Sequence, residues 1–187
     1  KDKKLNQDID FYKDINLLKS QADRCREILQ KLSQNPLKLK DNFFEKVKIT
    51  DLIKINFDKF NKNKQLNIIE DFKQKEPEII FKDEVMYAFG NIIQNAIFYC
   101  DKIVTVKLNY QKESVLIKIQ DDGKGFSKDI FDKLGEPYIS KNKQGMGLGI
   151  FIAKNLIENM GGNISFYNLK VNGAVVEINI KNSILDI

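Results

Sequence analysis

The sequence predicts an α+β protein: a two-layer α/β sandwich, in which a mixed sheet is covered by helices on one face, preceded by one long helix of a bundle. Three observations carry this. A heptad seam of apolar residues runs through the first part of the chain. Short runs of alternating apolar and polar residues recur after residue 46. Two helical apolar stripes are set among those runs.

In chain order, Phe11, Ile15, Leu18, Ala22, Cys25, Leu29 and Leu32 are alternately four and three apart, which predicts one helix over roughly 8–33. Leu17 and Ile28 widen its apolar face, and Asn35-Pro36 ends it. A lone helix cannot bury such a face, so it needs a partner. KVKIT (46–50) alternates like a short strand, and Thr50 is placed to cap a helix over about 51–61. LNIIEDF (66–72) and EIIFK (78–82) read as strands. Asp83 opens a helix to about Cys100, with Val85, Phe89, Ile92, Ile93, Ala96 and Ile97 on its apolar side. VTVKLNY (104–110) and SVLIKIQ (114–120), joined by a short polar link, read as a hairpin. A glycine-rich polar segment covers about 121–147, and a further apolar helix follows to about Met160, closed by Gly161-Gly162. NISFYN and AVVEINI form a closing pair of strands. There is no internal repeat and no low-complexity tract.

Composition narrows the classes. Hydrophobic residues make up 42% of the 187, enough for a core, and 30% are charged. No apolar run approaches the ~18 residues a membrane span needs, and the charged start KDKKLNQDID has no apolar segment behind it. The chain starts at Lys1, not Met, which reads as a fragment or processed form and leaves an upstream membrane anchor open. The net charge of +5 comes almost wholly from lysines interspersed with acids. Only Arg24 and Arg26 are arginines, so no nucleic-acid partner is expected. Cys25 and Cys100 form no metal-ligand or disulfide pattern, as suits a reducing cytoplasm. There is no histidine.

Three polar islands lie at element ends. Asn91 and Asn95 are four apart and share a helix face. An asparagine in an apolar helix costs stability unless its amide is used. One side-chain carbonyl plus phosphate oxygens would suffice for Mg²⁺, although a solvent-facing pair is as good a reading in a chain this rich in asparagine. Asp121-Asp122-Gly123-Lys124-Gly125 follows a strand. Taken alone it is an ordinary turn. Buried, its carboxylate could accept from adenine's exocyclic amine and would repel the guanine carbonyl. Glycines 123 and 125 would let a base approach the main chain. Gly145, Gly147 and Gly149 precede a helix, where exposed N–H groups can hold a phosphate.

The order Asn-x-x-x-Asn-Ala, Asp-x-Gly-x-Gly, Gly-x-Gly-x-Gly resembles the N, G1 and G2 boxes of the gyrase/Hsp90/histidine-kinase/MutL ATP-binding superfamily, over roughly residues 47–181. The resemblance implies ATP and Mg²⁺ as ligands. It implies Asn95 as the Mg²⁺ ligand and Asn91 as a polar contact on the phosphate side. Asp121 becomes the adenine-reading carboxylate, with Gly123 and Gly125 shaping its surroundings and Tyr99 flanking the base. Gly145, Gly147, Leu148 and Gly149 supply main-chain contacts to the phosphates. Residues 126–144 resemble a mobile lid, with Lys141 as the lid lysine and Lys143 a nearby substitute.

Hydrolysing members carry a glutamate general base where this chain has Asn91, so transfer is favoured over hydrolysis. LGEPYISKN (134–142) resembles the short lid of the histidine kinases. SQADRCREILQKLS (20–33) resembles the second helix of the dimerisation and phosphotransfer hairpin of RegB/PrrB-type redox-responsive sensor kinases. This implies three regions: 1–35 as that helix with its first helix missing, 36–46 as a linker, and 47–187 as the ATP-binding catalytic domain. The missing helix would carry the phosphoacceptor histidine, so the chain alone is not expected to autophosphorylate. The implied partners are that helix, a response regulator, and a second copy in a homodimer. The implied location is the cytoplasm, with the cytoplasmic part of an inner-membrane sensor also open. Cys25, between Arg24 and Arg26 on the seam, reads equally as a packed core residue or as a redox switch. Cys100 reads as packing. The pattern departs from its relatives at Phe98, where many carry a polar residue, and at Ala174, where a threonine is common. Two rivals remain: a serine kinase or ATPase of the same superfamily, and a non-catalytic module that binds nucleotide or senses redox state.

Overall fold

The computed structural model describes residues 46–61, 63–71, 78–80, 83–111, 114–140, 146–181 and 185–186. Residues Phe44–Lys141 and Gly147–Ile187 make one compact unit. The helix expected over 8–33, with Cys25, and the boundary at 35 lie outside the described residues. The chain runs β1 (Lys46–Lys48), α1 (Ile49–Phe60), β2 (Gln65–Asp71), β3 (Glu78–Ile80), α2 (Asp83–Tyr99), β4 (Ile103–Gln111), β5 (Ser114–Asp121), a single-turn α3 (Lys128–Phe131), α4 (Gly149–Asn159), β6 (Asn163–Asn168), β7 (Ala174–Lys181) and β8 (Leu185–Asp186).

The main sheet has the order β2-β4-β5-β7-β6. The expected hairpin forms β4 and β5, antiparallel, with Gln111 opposite Ser114 beside the turn. β5 pairs with β7 and β7 with β6, also antiparallel. Only β2 runs parallel to its neighbour, Leu66 lying opposite Val104, because its connection to β4 passes through β3 and α2. The sheet is therefore mixed.

Alternation along the strands sets the two faces. Val115, Ile117 and Ile119 of β5 are buried, and register places them beside Val106 and Leu108 on one side and Val176, Ile178 and Ile180 on the other. The apolar stripe of α2 is buried as expected, with Val85, Phe89, Ile92 and Ile93 at 1% exposure or less, and it packs in the same core as Ala153 and Ile157 of α4. Each such side chain contributes roughly 1.5–3 kcal/mol on leaving water. The opposite row of the sheet is mostly polar, with Leu116 and Val175 among its apolar members. Lys118 Nζ meets Glu177 Oε2 at 2.8 Å, and the Tyr167 hydroxyl donates to the same oxygen at 3.2 Å.

Four details depart from expectation. Thr50 does not cap the first helix. The helix starts at Ile49, with Lys48 in the N-cap position and no side-chain cap, and Thr50 is buried inside it. The reason is that β1 runs straight into α1, whose core face needs Ile49, Leu52 and Ile53 from its first turn. Second, β1 and β3 do not extend the main sheet. They form a three-stranded antiparallel sheet, β1-β3-β8, in which Ile79 lies opposite Val47 and Leu185. Third, β8 itself was not anticipated, because two residues carry no readable alternation. The same shortness hid α3. The end of α4 follows the sequence: the Gly161 N–H donates to Glu158 O and the Gly162 N–H to Ile157 O, with Gly161 at φ +79. That is the Schellman closure, which a left-handed glycine makes cheaply.

Candidate functional site

Helix α2 is the spine of the site, because it carries polar residues at both a middle turn and its end. Asn91 sits on the buried side at 8% exposure. Its Nδ2 donates to Tyr87 O one turn back at 2.9 Å. Its Oδ1 lies against Gly149, where a Cβ would come within 3.0 Å. Gly149 opens α4 with Leu148 as its N-cap and no side-chain cap, so the first N–H groups of that helix are offered to a ligand or to water. Asn95, one turn after Asn91, is half-buried. The first and third polar islands therefore meet, at Asn91 and Gly149.

The second island meets the end of the same helix. The Tyr99 carbonyl packs directly on Gly123, leaving no room for any side chain there. Gly123 is thus required by its neighbours within the fold. The Tyr99 ring is 43% exposed and lies edge-on to Phe98, centroids 4.9 Å apart. Phe98 itself is exposed. Asp121 continues the buried row Val115, Ile117, Ile119 and is 5% exposed, a carboxylate in a core position. Its Oδ1 accepts the Gly123 N–H at 2.9 Å and the Ala174 N–H at 3.3 Å. The latter bond is made by main chain, so alanine at 174 does not remove it. Both bonds fall on Oδ1, which leaves Oδ2 as an acceptor for an outside donor. Burial pushes the Asp121 carboxyl above the ordinary carboxylate range, against these two N–H bonds, and the neighbouring Asp122 charge adds to the rise.

Asp122 faces the other way and ties the loop to the start of β4. Its Oδ1 accepts from the N–H groups of Asp101 (2.9 Å), Lys102 (3.0 Å) and Ile103 (3.2 Å). Burial alone would raise this carboxyl, but the N–H donors, Lys102 foremost, outweigh it and hold it below its usual range. Lys64 Nζ closes the same turn from the carbonyl side, donating to Cys100 O at 2.9 Å and Asp101 O at 2.7 Å. A cation there also complements the helix dipole. Cys100 is buried, its Sγ against Ile97 O at 3.2 Å, and burial pushes its thiol up. That agrees with its reading as a packing residue.

Gly125 has φ +78, and a Cβ there would come within 2.8 Å of Asn168 Oδ1. Gly147 has φ +67 and packs on the main chain of Ile139, within 2.6 Å of where a Cβ would stand. Lys141, Lys143 and Gly145 lie outside the described residues. Sequence reasoning missed the Asp122 clamp, the Ala174 N–H and Asn168. All three act on residues far away in the chain, and no local spacing marks them.

Residues 82–184 match the model of the histidine kinase-, DNA gyrase B- and HSP90-like ATPases. The chain belongs to this family. Among curated relatives of this ATPase domain, the sensor histidine kinase RegB of Cereibacter sphaeroides is 27% identical over 179 residues, covering 83% of this chain and 37% of RegB. The chain thus spans little more than a third of that relative's length. Sporulation kinase E of Bacillus subtilis is 29% identical over 134 residues, covering 70% of this chain and 18% of that protein. The fold of the family is equally plain. A mycobacterial sensor histidine kinase, MprB, superposes with a TM-score of 0.63 at 18% identity, covering 73% of this chain and 97% of that structure.

Proposed function

We propose that this chain is the ATP-binding catalytic portion of a two-component sensor histidine kinase, moving the γ-phosphoryl group of ATP to a histidine that the chain does not contain. One observation carries the reading. A single helix, α2, brings Asn91 to the opening turn of α4 and Tyr99 to the Asp121 loop. The two places are eight residues apart, about 12 Å along the axis at 1.5 Å per residue. An extended nucleotide would lie along this helix, its base at Asp121 and Tyr99 and its phosphates at the N-terminus of α4.

In this reading Asp121 Oδ2 accepts from the adenine amine while Oδ1 stays engaged with Gly123 and Ala174. The main chain of Gly147, Leu148 and Gly149 faces the phosphates, with Gly145 and Lys141 adding to it. No group of three or more acidic, cysteine or histidine ligands occurs among the described residues. A magnesium ion would therefore take most of its oxygens from phosphate and water, with the Asn95 carbonyl as the protein's share, which suits its coordination habits. Bound magnesium would offset phosphate charge. The protein's work is then to position: hold the base, align the phosphates and present Pγ to the incoming imidazole nitrogen as the bond to the ADP oxygen breaks. Asn91 supports transfer over hydrolysis, because a neutral amide bonded to Tyr87 O cannot accept a proton from water.

The partners of this reading are a first helix carrying the histidine, a second copy of the chain and a response regulator. Its three regions are 1–35, 36–46 and 47–187, its setting is the cytoplasm, and Cys25 is its candidate redox switch. Among the described residues no helix is long and apolar enough to cross a membrane. Titration with a fluorescent ATP analogue in magnesium tests the site. Binding that weakens in Asn95→Ala supports the assignment, and unchanged affinity removes Asn95 from it. Incubation of the chain with labelled ATP is expected to leave it unlabelled. Acid-labile phosphate on the isolated chain would contradict the missing-acceptor reading.

A further inference from the structure

The hairpin of β6 and β7 lies outside all three polar islands, yet it makes three separate contacts with the Asp121–Phe126 loop. The Ala174 N–H reaches Asp121 Oδ1 at 3.3 Å. Gly173, at φ +111, packs on the Asp121 carbonyl, where any side chain would collide. Asn168, the last residue of β6, spends its whole carboxamide on one residue. Its Oδ1 accepts the Phe126 N–H at 2.7 Å and its Nδ2 donates to the Phe126 carbonyl at 2.8 Å. The hairpin is held closed by the Leu169 N–H donating to Gly173 O at 3.0 Å, so the three contacts come from one closed unit.

Phe126 ends the loop that leaves the sheet after Asp121. Behind it the chain turns into α3, and its ring packs edge-on to Phe166 of β6, centroids 6.1 Å apart. The main chain just before it, at Gly125, is left-handed, and the space a Cβ would need is taken by Asn168 Oδ1. Without an anchor, a segment of two glycines around one lysine would sample many conformations. The Asn168 clamp removes that freedom before any ligand arrives.

We propose that Asn168 is a positioning residue of the nucleotide site: it never touches the nucleotide, but by clamping the Phe126 peptide it fixes the Asp121–Gly125 loop in the shape that receives the base. The proposal rests on the nucleotide reading above. The side-chain chemistry is specific. A short amide alone offers one acceptor and one donor at the spacing of a residue's own N–H and C=O. Aspartate keeps the acceptor, but turns a charge toward the Phe126 carbonyl. Alanine keeps neither bond.

The test pairs two measurements on the full chain. Hydrogen exchange of the Phe126 amide, without nucleotide, reads the clamp directly and should speed up in Asn168→Ala, which removes the acceptor of that amide. Titration with a fluorescent ATP analogue in magnesium should show affinity falling about three- to tenfold in Asn168→Ala, as the loss of two solvent-accessible hydrogen bonds implies, and by less in Asn168→Asp, which loses only the bond to the Phe126 carbonyl. Asn168→Gln, which keeps both groups on a longer stem, should recover part of the loss. Faster exchange with unchanged affinity would overturn the proposal and leave Asn168 as a fold residue only. Unchanged exchange would overturn it also. Failure of the unaltered chain to bind the analogue would overturn the nucleotide reading, and this inference with it.

Discussion

Under the nucleotide reading proposed above, Asp121 is asked for two incompatible things. Folding buries its carboxyl among apolar neighbours, and the adenine contact proposed for it needs it ionised. Its folded pKa is raised, so between the ordinary aspartate range and that raised value the folded state holds more protons than the unfolded chain. Stability therefore falls as pH rises through that interval and stays lower above it. Asp121→Asn keeps an acceptor for the Gly123 and Ala174 N–H groups and removes the charge. It should melt at a higher temperature than the unaltered chain at pH 7 without nucleotide, lose the advantage below pH 4, and bind an ATP analogue more than about tenfold more weakly, the cost of turning a donor toward a donor. Thermal melts across pH and one titration check all three. Gly123 shows the opposite economy. Gly123→Ala drives a methyl into the Tyr99 carbonyl and should cost about 1–3 kcal/mol in urea unfolding, the usual range for overpacking. Asp121 was legible because it opens an Asp-x-Gly-x-Gly run directly after a strand, between the asparagine helix and the Gly-x-Gly-x-Gly loop. Asn168 was not, since an asparagine at the end of a strand reads as an ordinary start to a turn.

At the scale of elements, the turn between α2 and β4 is held by charges on both sides: Lys64 on its carbonyls and Asp122 on its N–H groups. The Asp122 carboxyl is held low in the folded state, so its contribution is present above the unfolded pKa and disappears as pH falls through the folded one. Asp122→Ala should lower stability at pH 7 by about 1–2 kcal/mol, given three N–H donors left to water. The difference from the unaltered chain should shrink on acidification to pH 2–3. Urea titrations at the two pH values measure it. An equal deficit at both would mean that the charge is not what holds the turn. The main helices and the hairpin were readable because each repeats its period several times. α3 and β8 were not, being shorter than the periods that would reveal them.

At the largest scale, among the described residues, one core binds the main sheet to α1, α2 and α4, and Phe89 is wholly buried in it. Phe89→Ala should cost about 3–5 kcal/mol, the usual range for emptying such a site. Because α2 carries both ends of the proposed site, the loss should appear in the denaturant midpoint first, and in nucleotide binding only as the folded fraction falls. Binding lost from a still-folded Phe89→Ala protein would mean that α2 is positioned by finer packing than the core alone supplies.

The sequence by itself determined the two-layer class, the identity of α2, α4 and the hairpin, and the three polar islands. Those rest on periods and residue types that operate over a few neighbouring positions. Only the tertiary structure decided that β2 lies parallel to β4, that β1, β3 and β8 form a sheet of their own, and which neighbours demand each glycine. It also brought Asn91 to Gly149, Tyr99 to Gly123 and Asn168 to Phe126. Such contacts join residues many positions apart. Their energies depend on where the whole chain has been carried, and that position is not written at either partner alone.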